Sequence, residues 1–180
     1  MNFQSAPPQR YDCASIALHW ATALLVLLAW GGAQLIDSFA KGPPRWIMLG
    51  VHMSLGLALA LVLIARVFWR ATGGTRLPRA QAGAAGVIAS GTHLLLYALL
   101  ALQLVLGLAN AWVRGEHVFT WFVIPAFDPG NQALRHQVGE LHELTATLIL
   151  AVAGLHAAAA LFHHYVLRDG VLARMWPGRT

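Results

Sequence analysis

His142 and His156 stand 14 residues apart. On a helix of 3.6 residues per turn that is close to four turns, so both rings project from one face, about 21 Å apart along the axis. Imidazole ligates transition metals and haem iron, and it carries protons near neutral pH. Two such ligands on one face at two depths are what a stack of two haems requires. Each iron then needs a second axial ligand from a facing helix at matching depth. The chain carries nine histidines. What they can do depends on the elements that hold them.

Composition points to lipid as the solvent of those elements. The sequence is 58% hydrophobic and 11% charged, where a soluble domain carries roughly 25% charge. A net charge of +5 suggests nucleic acid only until its distribution is considered. There is no basic stripe interleaved with aromatics, and the arginines fall between or at the ends of apolar spans. The single cysteine, Cys13, allows neither an intrachain disulfide nor a cysteine metal cluster.

Four stretches free of Asp, Glu, Lys and Arg run over Cys13–Ile36, Trp46–Ala65, Ala80–Val113 and Leu144–Leu167. A spanning helix needs about 20 mostly apolar residues. The spacing predicts four helices with cores near 15–36, 47–69, 87–112 and 138–166. The expected fold is therefore an all-α integral membrane protein, a four-helix transmembrane bundle in one domain over residues 1–180. His117–Phe127 is too short to span and reads as an interfacial loop anchored by Trp121 and Phe122. The first span is too long for the apolar core of a cleaved signal peptide. Orientation follows from the basic residues. One side receives Arg10, Arg66, Arg70, Arg76, Arg79, Arg168, Arg174 and Arg179; the other receives Lys41, Arg45, Arg114 and Arg135. Both termini are predicted cytoplasmic, with the 37–45 and 114–136 loops outside.

Histidine inside a bilayer is costly unless it has a partner or a task. Counting from the span ends places His19 about one turn inside the cytoplasmic end of the first helix. His52 lies about one turn inside the outer end of the second. Helix 4 runs inward, with His142 near its outer end and His156 deeper. The depth-matched pairs are His19 with His156, inner, and His52 with His142, outer. Hydrogen bonding between helices is the plainer use of a membrane histidine, but it leaves the matching depths unexplained. A transition-metal site needs three or more converging ligands, and His142 and His156 are too far apart to share one. Gly50, Gly56, Gly107, Gly139 and Gly154 suit either a flat macrocycle or close helix packing. His93 is an alternative inner ligand or a lining residue beside that site. His117 and His136 belong to the outer loop and are expected in water. His163 and His164 either anchor helix 4 at the interface or handle protons.

The segments SIALHW at 15–20, VHMSLG at 51–56, HLLLY at 93–97, LHE at 141–143, GLHAAAALFHHY at 154–165 and RMWP at 174–177 together resemble the bacterial cytochrome b561 family. The likeness runs from Ala14 to Pro177, and the 154–165 motif is its most specific part. The family's four-helix members hold two haem b groups and work with quinones. Carried onto this sequence, their haem ligands fall on His19, His52, His142 and His156, the set that depth counting gives.

The resemblance implies a bacterial inner-membrane enzyme of the superoxide:ubiquinone oxidoreductase type. An electron from superoxide would enter at the periplasmic face, cross by the two haems and reduce ubiquinone. Lys41, Arg45, Arg114 and Arg135 are the candidates for steering the anion. Trp20, His163 and His164 are the candidates for the quinone site. One alternative is an electron-transfer subunit of a hydrogenase or other dehydrogenase, working with a redox protein partner. Another is a haem-free transporter, which would show a polar track or broken helices at mid-membrane.

Overall fold

The computed structural model describes residues 10–177. Arg179, counted in the charge bias above, lies outside them. Among the described residues, four helices are long and apolar enough to cross a membrane. They are α1 (Cys13–Ile36), α2 (Pro43–Thr72), α3 (Gly83–Arg114) and α4 (Gln132–Phe162). All extend past the expected cores except at the end of α1 and of α4. The charge-free windows mark the hydrocarbon layer, whereas the helices continue through the headgroup zone, where Arg45, Arg70, Arg114 and Arg135 are tolerated.

Local chemistry sets the helix ends. Asp12 caps α1 by accepting from the Ser15 amide at 2.9 Å. α2 starts after Gly42, whose φ of 114° and ψ of −155° suit only glycine, with Pro43 in the first helical position. Gly115 ends α3 in the left-handed conformation, its amide bonded to the Ala111 carbonyl. Asn131 caps α4 through the Leu134 amide at 2.9 Å. α4 does not run on regularly to residue 166. It passes into one π-helical turn, His163–Leu167, followed by a short 3₁₀ turn, Leu172–Met175.

The outer loop is more ordered than an interfacial segment needs to be. His117–Val118 (β1) and Phe122–Val123 (β2) pair antiparallel. The hairpin folds onto the outer end of α2. His117 stacks on Trp46 with ring centroids 4.0 Å apart, so it is half-buried rather than free in water. Phe119, at φ 58°, lies against Gly50. A Cβ at that glycine would come within 2.8 Å of the Phe119 ring and backbone. Holding a bulky residue in the left-handed region costs energy, and this contact needs a glycine beneath it.

The helices form two antiparallel pairs. α1 packs along α2 and α3 along α4, while the pairs meet each other sparingly. Large apolar side chains such as Leu94, Leu108 and Leu155 lie on the outside, as lipid contact demands. The buried centre is small: Leu59 and Leu63 of α2, Leu100 of α3 and Ile149 of α4, with Leu25 and Val26 of α1 against them. Ile149 sits midway between His142 and His156 in sequence. The apolar core therefore occupies the middle of the bundle, between two polar levels.

Candidate functional site

Each polar level is built across the seam between the helix pairs. At the arginine-rich end, His19 of α1 faces His156 of α4 with ring centroids 6.3 Å apart and planes at 78°. At the opposite end, His52 of α2 faces His142 of α4 at 6.3 Å and 82°. The two levels repeat one geometry. Both α4 histidines come from one face, as the spacing of 14 dictates.

The distance has a chemical meaning. Two metal–imidazole bonds of about 2 Å, plus the half-width of each ring, place axial ring centroids roughly 6 Å apart. His93 also approaches His156, but at 5.2 Å between centroids, too close for an iron between them. Of the two inner candidates, His19 has the spacing of a trans ligand, and His93 lies beside the pair. Among the described residues, no group of three or more His, Cys, Asp or Glu is placed to hold a bare metal ion.

Hydrogen bonds orient the rings. His52 Nδ1 lies 3.0 Å from the Ala29 carbonyl. A carbonyl only accepts, so Nδ1 carries the proton and Nε2 keeps its lone pair. That is the usual arrangement for an imidazole bound to a metal through Nε2. At the other outer ring, His142 Nε2 stands 3.2 Å from the Gln103 amide nitrogen. His142 Nδ1 and Gln103 Oε1 are both buried without a partner. A ligating ring passes its free N–H to an acceptor, and the Gln103 amide is the polar group beside this ring. The backbone leaves room for a flat group. A Cβ at Gly107 would sit 3.2 Å from His142 Cε1. Gly56, one turn from His52, is half-buried yet borders open space. The histidine donor set fits haem at both levels, and at the outer one the orphaned polar atoms and the glycine-lined gaps fit it as well.

The remaining candidates divide. On the outer side Lys41 is exposed. Arg45 is bound to Asp37 at 2.5 Å and to the Ile36 carbonyl, which largely cancels its field. Arg114 and Arg135 share a cavity of about 260 Å³ with Glu116, Gln132 and His136. His136 is exposed and pairs with Glu140 at 3.3 Å. On the inner side Trp20 stands edge-on to His19, with 5.6 Å between centroids, and donates to the Met175 carbonyl at 2.8 Å. His163 meets Asp169 at 2.5 Å, and Asp169 also accepts from Gln81 at 2.9 Å. Burial counts against the Asp169 charge, but hydrogen bonds from His163 and the Val171 amide outweigh it and hold this carboxyl below its ordinary range. His164 is exposed against Tyr165.

Sequence reasoning passed over Gln103, Asp169 and Arg66. Only Arg66 had a usable signal. It stands 14 residues beyond His52, the same interval that separates the two α4 histidines.

Four membrane-spanning helices that present paired histidines at two depths define a class, the intramembrane histidine-paired bundles. The chain belongs to the prokaryotic cytochrome b561 family, whose family model matches residues 10–178. It is 30% identical over 172 residues to a probable superoxide oxidase of Yersinia pestis, covering 94% of this chain and 97% of that protein. It is also 30% identical to cytochrome b561 homolog 1 of Escherichia coli (strain K12), covering 94% and 98%. Cytochrome b562 of Cereibacter sphaeroides is 30% identical, covering 92% and 94%. The protein is thus a multi-pass bacterial inner-membrane protein of a b-type cytochrome family, and haem b is the cofactor that family implies.

Proposed function

We propose that this chain binds two haem b groups and carries electrons across the bilayer, oxidising superoxide at the outer face and reducing ubiquinone. The observation that carries the reading is the repetition of one histidine-pair geometry, 6.3 Å between centroids, at two depths. His19 and His156 would hold the inner haem, His52 and His142 the outer. When bound, haem b supplies one-electron iron chemistry at each level.

The residues around these sites do the rest. Ala29 fixes the tautomer of His52 through its carbonyl. Leu59, Leu63, Leu100 and Ile149 keep water out of the middle. Lys41, Arg114 and Arg135 give the outer face a positive field that raises the local concentration of an anion, with Arg45 muted by Asp37. Two superoxide anions each lose one electron to become dioxygen. One ubiquinone takes up two electrons and two protons. Trp20, His163 and His164 are the candidates for the quinone end. His163, held through Nδ1 by Asp169, would donate a proton from Nε2 and be recharged from the cytoplasmic water. The name of the Yersinia relative supports superoxide as the donor.

The test is purified protein in detergent. Dithionite should give the sharp alpha band of low-spin bis-histidine haem, with two haems per chain. A superoxide source should reduce those bands and then form quinol from added ubiquinone. A flat visible spectrum overturns the cofactor reading. Bands that ignore superoxide but respond to a co-purifying redox protein overturn the donor.

A further inference from the structure

Arg66 of α2 is a cation inside the bundle with no carboxylate partner among the described residues. Its Nη2 donates to His19 Nδ1 at 3.0 Å, and its guanidinium carbon lies 5.2 Å from the centre of the Tyr97 ring. A neutral nitrogen and a ring face are weak company for a buried cation, which calls for a counter-ion. The bond to His19 is also at odds with ligation. Guanidinium only donates, so His19 Nδ1 must accept here, whereas an imidazole bound to metal through Nε2 normally keeps its proton on Nδ1. Once His19 ligates, Arg66 needs another acceptor.

The surroundings specify that acceptor. Arg66 opens onto a cavity of about 390 Å³ whose wall also carries Arg70, Arg76, Tyr11 and Tyr97. Among the described residues, no carboxylate lines this cavity. Asp12 stands near its rim, but its oxygens are engaged by Ser15, Trp69 and the Thr75 amide. Three guanidinium groups facing one space suit a ligand with more than one negative charge, through charge-assisted and bidentate bonds. A quinone head is neutral and leaves that charge unmatched. The register of α2 fixes the depth. Fourteen residues beyond His52 on the same helical face, Arg66 meets the inner level as His52 meets the outer.

We propose that the Arg66–Arg70–Arg76 cavity is the carboxylate receptor for the inner haem, with Arg66 as the residue that pairs with a propionate and thereby raises the potential of that haem. The inference rests on the di-haem reading. Reducing ferric haem removes one positive charge from the site, so a fixed neighbouring cation favours the reduced form, and removing it leaves the propionate charge uncompensated. Arg66 is a positioning residue, and the electron's inward path gains a downhill end from it.

The experiment is a spectropotentiometric titration of full-length Arg66→Gln and Arg66→Lys, with haem carrying ¹³C-labelled propionates followed by redox-difference infrared spectroscopy. In Arg66→Gln, one of the two midpoint potentials should fall by at least a tenfold change in reduction equilibrium, 59 mV for a one-electron couple. The labelled carboxylate bands should shift. Arg66→Lys should retain most of the potential. In a His19→Ala background, which leaves the outer haem, Arg66→Gln should move nothing. Unchanged potentials and unchanged labelled bands overturn the proposal. So does a potential shift present in phosphatidylglycerol nanodiscs and absent in phosphatidylcholine nanodiscs, which would make a lipid headgroup the anion. If Arg66→Gln fails to accumulate, Arg70→Gln and Arg76→Gln are read in the same way with smaller shifts expected. Wild-type protein without haem would sink the di-haem reading itself, an outcome distinct from the others.

Discussion

Alanine at His52, His142, both together, and His52 with His19 gives four variants whose haem contents the geometry fixes in advance. His52 and His142 face each other at 6.3 Å, so they serve one iron, and either change should remove the same haem. His19 and His156 belong to the other level, about 21 Å away along α4 at 1.5 Å per residue. Sites farther apart than about 7–10 Å without shared partners behave additively within about 0.5 kcal/mol, and the apolar layer around Ile149 shares no polar group with either level. The expected haem-to-protein ratio falls by half in each single variant, with the alpha band halved. It stays at half in the His52/His142 double variant and falls to none in the His52/His19 variant. Pyridine haemochrome content measured against protein concentration is the assay, with correct membrane insertion checked separately. A His52/His142 double variant that loses both haems, or a His52/His19 variant that keeps one, would show that the pairs are wrongly drawn.

Three further outcomes follow from the same contacts. Gln103→Leu removes the amide that meets His142 Nε2 and with it the side chain that orients the ring, so the outer haem should bind 10–100-fold less tightly while the inner one is unaffected; haem retention on dilution reads this. Arg114→Gln with Arg135→Gln should slow reduction by superoxide and flatten its dependence on ionic strength, whereas Arg45→Gln, already neutralised by Asp37, should change the rate far less under stopped-flow mixing. Burial opposes the charge on Asp12, but bonds from the Ser15 and Thr75 amides, the Ser15 hydroxyl and Trp69 outweigh it and hold its carboxyl far below the usual carboxylate range. A lowered folded value means that the stabilisation is present above the unfolded value and is lost as pH falls through the folded one. Asp12→Ala should therefore cost about 0.5–2 kcal/mol at neutral pH, and the gap to wild type in thermal unfolding should narrow as pH drops below the range of an unfolded aspartate, about 3.9.

Much of the scaffold was legible because lipid imposes a coarse code. Runs without charge had to become spans, and an interval of 14 had to put His142 and His156 on one face. The meeting of His19 with His156, and of His52 with His142, follows from chain direction and depth alone. What was not legible depends on contacts between distant residues. The hairpin at 117–123 is held by Trp46 and Gly50 of α2, and a two-residue strand pair has no pattern of its own to detect. The ion pair of Arg45 with Asp37 crosses a turn whose shape is set by Gly42. Arg66 closes a charge-free run, so the sequence places it only among the basic residues of the inner side. Only its offset from His52 placed it against the inner level.

The apolar layer of Leu59, Leu63, Leu100 and Ile149 makes the bundle an electrical device as well as a structural one. Among the described residues, the cluster itself is apolar and Tyr97 is the one titratable side chain packed against it, which gives protons no relay alongside the electrons that the two histidine levels are proposed to carry. Negative charge then moves inward alone, against a membrane that is negative inside, at about 2.3 kcal/mol for a full crossing per 100 mV. If the protons joining the quinone come from the cytoplasm, each turnover separates charge across that layer. The reaction would charge the membrane like a capacitor, and its rate would slow as the voltage rises.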